Sequence, residues 1–127
     1  MPLKIQMQKT ISGEKAGTIV VKLNGSLDTA TAPELERQLE PVLAGPTRDL
    51  VFDLEELKFV SSAGLRVFSM ARKQLRERSG EAAFVNMQPQ IREVFEIIKA
   101  LPGVSVFKDI AEFDRYIAAR QRSHEES

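Results

Sequence analysis

The sequence predicts an α/β fold with a mixed, mostly parallel five-stranded sheet, an N-terminal β-hairpin and four helices, in the order ββαβαβαβα. Short β-branched and apolar runs, typical of strands, alternate with segments whose apolar residues recur every three or four positions, as on one face of a helix. Single helices between successive strands imply right-handed crossovers, which join parallel neighbours in one sheet. The 127 residues are enough for one domain with its own core.

The N-terminal hairpin is predicted from two short patterns. Leu3, Ile5 and Met7 alternate with polar residues, which indicates a half-buried edge strand. Residues 12–17 are rich in turn formers, and the β-branched run at residues 18–23 then predicts a second strand that pairs with the first.

The first helix is predicted to begin near Thr31. Glu34 follows Thr31 at the spacing of a capping box, and Pro33 suits the first turn. Pro41 should kink or end this helix, because proline clashes with the preceding turn. Just before the helix, Asp28 has the character of a loop residue whose carboxylate accepts hydrogen bonds from backbone N–H groups.

The second half of the chain continues the alternation of strand and helix. The predicted elements are a buried strand at residues 50–54, a helix that starts near Leu65 and ends at residues 79–80, a strand at residues 82–85, a helix that begins at Pro89, a strand at residues 104–107, and a last helix after Asp109 with Ile110, Phe113 and Ile117 facing inward. The domain is therefore predicted to span residues 1–119, followed by a polar tail at residues 120–127.

The helix that follows residue 62 is strongly basic. Against a single acidic residue, Glu77, it carries Arg66, Arg72, Lys73, Arg76 and Arg78. For the distal basic residues a solvated polar face is the simpler interpretation. Arg66 differs, because it lies one helical turn after Ser62.

Ser61 and Ser62 lie where the central strand gives way, through a loop, to this basic helix. Serine is a preferred N-cap because its hydroxyl accepts a hydrogen bond from an unpaired N–H group of the first turn. Gly64 allows a close approach of neighbouring parts of the chain. On spacing alone, the segment indicates an ordinary strand–loop–helix joint with a capping serine.

Two segments of the chain resemble the recurrent motifs of STAS domains. Residues 61–66 read Ser-Ser-Ala-Gly-Leu-Arg and follow a strand that ends in Asp-Leu, which is similar to the signature segment of this family. Residues 25–32 resemble the second motif, Gly-x-Leu-Asp-x-x-Thr-Ala. The likeness extends from about Lys4 to Ala119, and within the family it points to the small single-domain anti-sigma-factor antagonists of bacterial partner-switching systems.

The resemblance implies which residues meet a partner. In these antagonists the signature usually reads Asp-Ser-Ser-Gly-Leu, and its first Ser is phosphorylated by the anti-sigma kinase. That acceptor corresponds to Ser62, whereas the family's Asp corresponds to Ser61, which leaves Ser61 as an alternative acceptor. The partner-facing residues implied by the resemblance are Asp28, Thr31, Ser61, Ser62, Ala63, Gly64 and Arg66.

The resemblance also implies a function. Unphosphorylated, the protein would bind a serine kinase of the histidine-kinase-like ATPase fold and displace that kinase's other client. Phosphorylated on Ser62, it would release the kinase until a PP2C-type phosphatase removes the phosphate. The alternative is a ligand-binding or adaptor STAS module, which senses a nucleotide or a lipid without a phosphorylation switch.

Composition argues against several other functional classes. Eighteen basic and 18 acidic residues cancel, so no net field favours nucleic acid or an anionic membrane. The lack of cysteine excludes disulfides and thiolate metal sites and fits a cytoplasmic location. The only histidine, His124, lies in the polar tail, so Ser62 has no evident catalytic base. We therefore expect a non-enzyme that uses no metal or cofactor, and no apolar run is long enough to cross a bilayer.

Overall fold

The computed structural model describes residues 3–9, 17–100 and 110–125. The elements are β1 (Leu3–Lys9), β2 (Thr18–Leu27), α1 (Ala32–Ala44), β3 (Asp49–Val60), α2 (Ser62–Arg76), β4 (Ala82–Val85), α3 (Pro89–Ala100) and α4 (Ile110–Glu125). The α/β fold with four helices is confirmed, and the described residues contain four strands rather than the predicted five. The remaining predicted strand, at residues 104–107, lies outside the described residues.

The strands form one mixed sheet in the order β1-β2-β3-β4. β1 and β2 are antiparallel, and Ile5 lies opposite Leu23 in this hairpin. β3 pairs in parallel with both β2 and β4, so that Phe52 lies between Val21 and Phe84. The parallel pairs are connected by α1 and α2, as single-helix crossovers predict.

One face of the sheet carries the core. Leu23 and Phe52 are fully buried on this face, where residues from all four described helices pack in the same cluster. On the opposite face Lys22 and Asp53 are only partly buried, and Val85 is 38% exposed. The pleat of a strand turns successive side chains to opposite faces, so the described helices cover one side of the sheet and leave the other open.

β2 and β3 are longer than the sequence predicts, because strand pairing uses backbone groups that polar residues provide as well as apolar ones. β2 runs on to Leu27 and β3 runs on to Val60, with a register shift between Gly25 and Ser26. The loop predicted before the basic helix is therefore wrong, since Ser61 alone separates β3 from α2.

α1 begins after Thr31, as predicted, but without a capping box. The Thr31 side chain makes no cap hydrogen bond, and the Glu34 carboxylate instead accepts hydrogen bonds from Arg37 and Gln38. These bonds, that from Gln38 above all, lower the pKa of Glu34. The helix also continues past Pro41, which is exposed, so Pro41 does not end it. The other predicted outcome, a kink at Pro41, stays a prediction.

Arg78 links the residue stretch after α2 to the end of α1. Its guanidinium donates hydrogen bonds to the carbonyl oxygens of Leu43, Gly45 and Thr47, at 2.9 Å for the last two. The final carbonyls of a helix lack partners within the helix, and Arg78 supplies one for Leu43 and for two carbonyls that follow α1. Arg78 is exposed, as the predicted solvated face requires, but it lies after α2 and also holds the end of α1 in place.

α4 continues through residues 120–125, where the sequence predicts a polar tail. Ile117, predicted to face inward, is fully buried, and Gln121 is 2% exposed. The Gln121 side chain accepts a hydrogen bond from the Val60 N–H and donates one to the Val60 carbonyl, both at 2.9 Å. A buried amide is tolerated here because its polar atoms are paired. Helix rather than tail therefore occupies these residues.

Candidate functional site

The serine junction, residues 60–64, carries the chain from the end of β3 into the first turn of α2. Ser61 is the N-cap of α2, and its hydroxyl accepts a hydrogen bond from the Gly64 N–H at 3.5 Å. The Ser61 N–H donates to the Leu27 carbonyl at 2.9 Å, and the residue is 6% exposed. Ser61 is therefore turned into the protein, in the capping role that its residue type predicts.

Ser62 is the first residue of α2 and is half-buried. Its N–H donates a hydrogen bond to one carboxylate oxygen of Asp114, and its hydroxyl donates to the other, each at 2.8 Å. A carboxylate is favoured at this place because the first N–H groups of a helix lack partners within it and carry the positive end of the helix dipole. Asp114 on α4 thus closes over the start of α2.

Asp114 was not predicted as a site residue. It lies 52 residues after Ser62, and residue spacing in a single sequence does not reveal a contact between residues so far apart. The only available signal was its position on the predicted last helix between Phe113 and Ile117, two residues expected to face the core. That position places Asp114 close to the protein body without naming its partner.

Gly64 is required by packing against side chains. A Cβ atom at this position would lie 2.6 Å from the Leu27 Cγ and 3.0 Å from the Val60 Cγ2. The predicted close approach is therefore present, and it brings the first turn of α2 against the ends of β2 and β3. This contact fixes where Ser62 begins the helix.

Asp28 and Thr31 hold the loop between β2 and α1. One Asp28 carboxylate oxygen accepts hydrogen bonds from the N–H groups of Ala30 and Thr31, both at 3.0 Å. The Thr31 hydroxyl accepts from the Asp28 N–H at 2.9 Å and donates to the Ser26 carbonyl at 2.7 Å. The interpretation of Asp28 as a loop residue that bonds backbone N–H groups is confirmed.

Two open depressions adjoin the serine junction, and Thr29 lines both. The first, of about 390 Å³, involves the β2–α1 loop, Ser61 and α4, with Asp28, Asp114, Arg115 and Arg122 among its lining residues. The second, of about 450 Å³, lies between α1 and α2, with Pro33, Glu36, Ala63 and Arg66 among its lining residues. Asp28 and Ser61 therefore share one depression, whereas Ala63 and Arg66 share the other.

Arg66 is exposed and borders the depression beside α1, whereas the Ser62 hydroxyl points to α4. In the part of the chain that the structure describes, no hydrogen bond or ion pair joins Arg66 to Ser62. The prediction that these residues lie one turn apart on α2 is confirmed, but each faces a different neighbouring helix.

Metal-binding clusters and membrane-spanning helices are both absent from the part of the chain that the structure describes. Within residues 3–9, 17–100 and 110–125, no group of three or more His, Cys, Asp or Glu side chains could hold a metal ion. Among the same residues, none of the helices is both long enough and apolar enough to span a bilayer.

Comparison with known proteins relates most of the chain to one family. The family model for the STAS domain matches residues 10–113. BtrV of Bordetella bronchiseptica, an inferred anti-sigma factor antagonist, is 41% identical over 81 residues, which make up 64% of this chain and 70% of BtrV. The anti-sigma-B factor antagonist of Staphylococcus aureus is 36% identical over 77 residues, or 61% of this chain and 71% of that protein.

The solved structures of SpoIIAA, an anti-sigma factor antagonist of Bacillus, have a similar fold. Its unphosphorylated form has a TM-score of 0.62 at 21% identity, over 74% of this chain and 83% of SpoIIAA. Its phosphorylated form has a TM-score of 0.60 at 22% identity, over 74% of this chain and 82% of SpoIIAA. The family model matches residues 10–113, which are well over half of this chain, and the chain therefore belongs to the STAS domain family.

Proposed function

We propose that this protein is an anti-sigma-factor antagonist of a bacterial partner-switching pathway. Unphosphorylated, it binds an anti-sigma serine kinase and frees the kinase's client, and phosphorylation of Ser62 ends that binding. The observation that carries the proposal is a half-buried serine hydroxyl at the first residue of α2. The names of the curated relatives, which describe anti-sigma factor antagonists, support the same function.

The surroundings of the two serines support Ser62 rather than Ser61 as the acceptor. A kinase must reach the hydroxyl oxygen, and Ser61 is 6% exposed with its hydroxyl at the cap of α2. Ser62 is more exposed, and among the described residues its hydroxyl forms one hydrogen bond, to Asp114, which has to open. The replacement of the family's Asp by Ser61 keeps a residue type that caps helices well, so α2 can begin in the same register.

Electrostatics gives the direction of the switch. A phosphoserine adds about −1.5 to −2 charges. At the start of its own helix this charge is favourable by about 0.3–1 kcal/mol. Buried against a partner without a cation, the same charge costs several kcal/mol, and ~1.4 kcal/mol is already a tenfold loss of affinity. Phosphorylation should therefore release the partner and leave the fold intact.

The proposed partner surface surrounds the serine junction. The residues proposed to meet the partner are Asp28, Thr31, Ser62, Ala63 and Arg66, which are half-buried or exposed. Ser61 and Gly64, also implied by the resemblance, are buried and would support this surface from beneath. The first partner is a kinase of the histidine-kinase-like ATPase fold, and the second is a PP2C-type phosphatase. The protein acts by binding in the cytoplasm, as a regulator without catalytic activity, and needs no cofactor of its own.

Phosphorylation with the cognate anti-sigma kinase and ATP tests the acceptor. Mass spectrometry should place the phosphate on Ser62. The Ser62→Ala variant should lose the label, and the matched Ser61→Ala variant should keep it. A phosphate on Ser61 would contradict the assignment.

Calorimetry with ATP and GTP tests the alternative, a nucleotide-sensing STAS module. The proposed function predicts no micromolar binding of either nucleotide to the unmodified protein. Micromolar binding would favour the alternative.

A further inference from the structure

We propose that the Asp114 carboxylate holds the place that the phosphate takes, so that phosphorylation of Ser62 displaces Asp114 and frees the first turns of α4. The inference rests on phosphorylation of Ser62, which belongs to the proposed function. It adds a change of conformation to a switch that otherwise acts by charge alone. α4 then has one arrangement in the unmodified protein and another in the phosphorylated one.

The geometry of Asp114 is that of an anion bound at the start of a helix. Both carboxylate oxygens are used, one by the Ser62 N–H and one by the Ser62 hydroxyl, at 2.8 Å each. Helix N-termini favour anions because their N–H groups and their dipole point at the ligand. A phosphate on Ser62 is also an anion that helix N-termini favour. It would be attached to the same residue whose N–H now donates to Asp114.

Phosphate and carboxylate cannot share this place. Phosphorylation replaces the hydroxyl hydrogen that Ser62 donates to Asp114, so that hydrogen bond is lost. The Ser62 oxygen then carries about −1.5 to −2 charges next to a carboxylate. Like charges at such a distance repel, and the phosphate oxygens also compete for the Ser62 N–H. Asp114 is therefore displaced.

The displacement stays local because the rest of α4 is anchored separately. Ile117 is fully buried, and Gln121 holds both backbone groups of Val60 at 2.9 Å. Arg120 forms an ion pair with Glu93 on α3. These contacts lie one to two turns after Asp114 and do not involve Ser62. Phosphorylation should therefore loosen residues 110–116 and leave residues 118–125 in place.

Hydrogen–deuterium exchange of the full chain, with phosphoserine encoded genetically at position 62, tests the inference without a kinase. Amide exchange in residues 110–116 should become about tenfold faster than in the unmodified protein, which corresponds to ~1.4 kcal/mol. Residues 114–116 should carry this change, because the first four N–H groups of α4 lack partners within the helix. Exchange in residues 118–125 and in β2 and β3 should not change. Unchanged exchange in residues 110–116, as expected if Arg115 on the rim of the depression kept α4 in place by pairing with the phosphate, would overturn the inference. Faster exchange in β2 and β3 as well would mean general unfolding and would overturn it equally.

Two variants separate the role of the Asp114 charge from a general effect. In Asp114→Asn, which keeps the shape and removes the charge, exchange of residues 110–116 should change by less than about threefold on phosphorylation, since the charge repulsion is gone. The control Glu96→Gln removes one charge from an exposed position on α3 and should keep the full response. Equal responses in both variants would contradict a role for Asp114.

Kinase binding measured on the same samples distinguishes this inference from the proposed function. Loss of kinase binding without faster exchange in residues 110–116 would refute the displacement of α4 and leave the switch. Faster exchange with undiminished kinase binding would refute the switch at Ser62 and leave the displacement.

Discussion

Ser61 and Ser62 are adjacent serines with identical side chains, yet they lie in different surroundings after the end of β3. Ser61 caps α2 and is 6% exposed, whereas Ser62 donates its hydroxyl hydrogen to Asp114 on another helix. One residue of extended backbone turns the two side chains in different directions, as it does along any strand. The difference supports a division of labour in which one serine starts the helix and the other takes the phosphate.

At the scale of single residues, the sequence predicts the helix cap at the start of α2 but not the Asp114 carboxylate that lies against it. A serine at a helix start has a local role that its residue type indicates. The hydrogen bonds of Asp114 to Ser62 join residues 52 apart and depend on how α4 packs, which a single sequence does not encode in its spacing. The sequence therefore predicts hydrogen bonds between near neighbours in the chain, but not those between residues far apart in it.

Gly64→Ala tests the packing of the serine junction. Alanine in place of glycine within a helix normally stabilises by about 1 kcal/mol. Here the added Cβ atom would lie 2.6 Å from the Leu27 Cγ, and overpacking of a core typically costs ~1–3 kcal/mol. We expect a lower free energy of unfolding in urea denaturation, whereas the control Ser69→Ala, at an exposed position of α2, should be neutral or slightly stabilising. A stabilised Gly64→Ala protein would contradict the tight contact.

Arg66→Ala tests the partner surface. Arg66 is exposed on the rim of the depression that includes Ala63. Arg76, also exposed, lies at the end of α2, roughly 15 Å further along the helix axis. We expect Arg66→Ala to weaken kinase binding more than the matched control Arg76→Ala, by a difference that shrinks as salt rises. Small and equal losses in calorimetry would show that Arg66 is an ordinary surface residue.

At the scale of elements, periodicity predicted where helices and strands lie better than where they end. β3 continues to Val60 through charged residues, because its backbone groups pair with those of β2 whatever side chains they carry. α4 continues past residue 119 because Gln121 finds partners on the Val60 backbone. Polar residues at the end of a helix suggest fraying unless their side chains find hydrogen-bond partners in the protein interior. For Gln121 those partners are the backbone groups of Val60, which only the folded structure brings close.

Arg78→Ala tests how α1 and α2 are joined. Arg78 donates hydrogen bonds to the carbonyl oxygens of Leu43, Gly45 and Thr47. Hydrogen bonds that involve a charged group contribute about 1.5–3 kcal/mol, but Arg78 is exposed and solvent weakens the interactions of exposed charges. We therefore expect Arg78→Ala to lower the free energy of unfolding by about 1–1.5 kcal/mol. Arg76→Ala, two residues earlier and exposed, should change stability by less than about 0.5 kcal/mol. Equal effects of the two changes in chemical denaturation would contradict the role of Arg78.

At the scale of the whole molecule, the serine junction lies at the rim of the core rather than within it. The fully buried side chains of β2 and β3 lie on the helix-covered face of the sheet, whereas Ser62 is half-buried and touches α4 through Asp114. A change of charge at Ser62 can therefore be confined to the junction and the first turns of α4.

Ser62→Asp tests whether the fold tolerates a negative charge at this position. We expect the circular dichroism spectrum to be unchanged and the free energy of unfolding to fall by less than about 1.5 kcal/mol, because the interaction of partly exposed charges is weak. The control Ser62→Ala removes the hydroxyl without adding charge and separates the two contributions. A loss of several kcal/mol in Ser62→Asp alone would show that the fold, and not only the partner, is sensitive to charge at Ser62.

The affinity of the protein for its anti-sigma kinase, with and without phosphoserine at position 62, tests the central claim most directly. Calorimetry should find tight binding of the unmodified protein. With phosphoserine in place, the dissociation constant should rise by about a hundredfold or more, as expected from a charge that costs several kcal/mol at an interface. Equal affinities of the two forms would contradict a switch at Ser62.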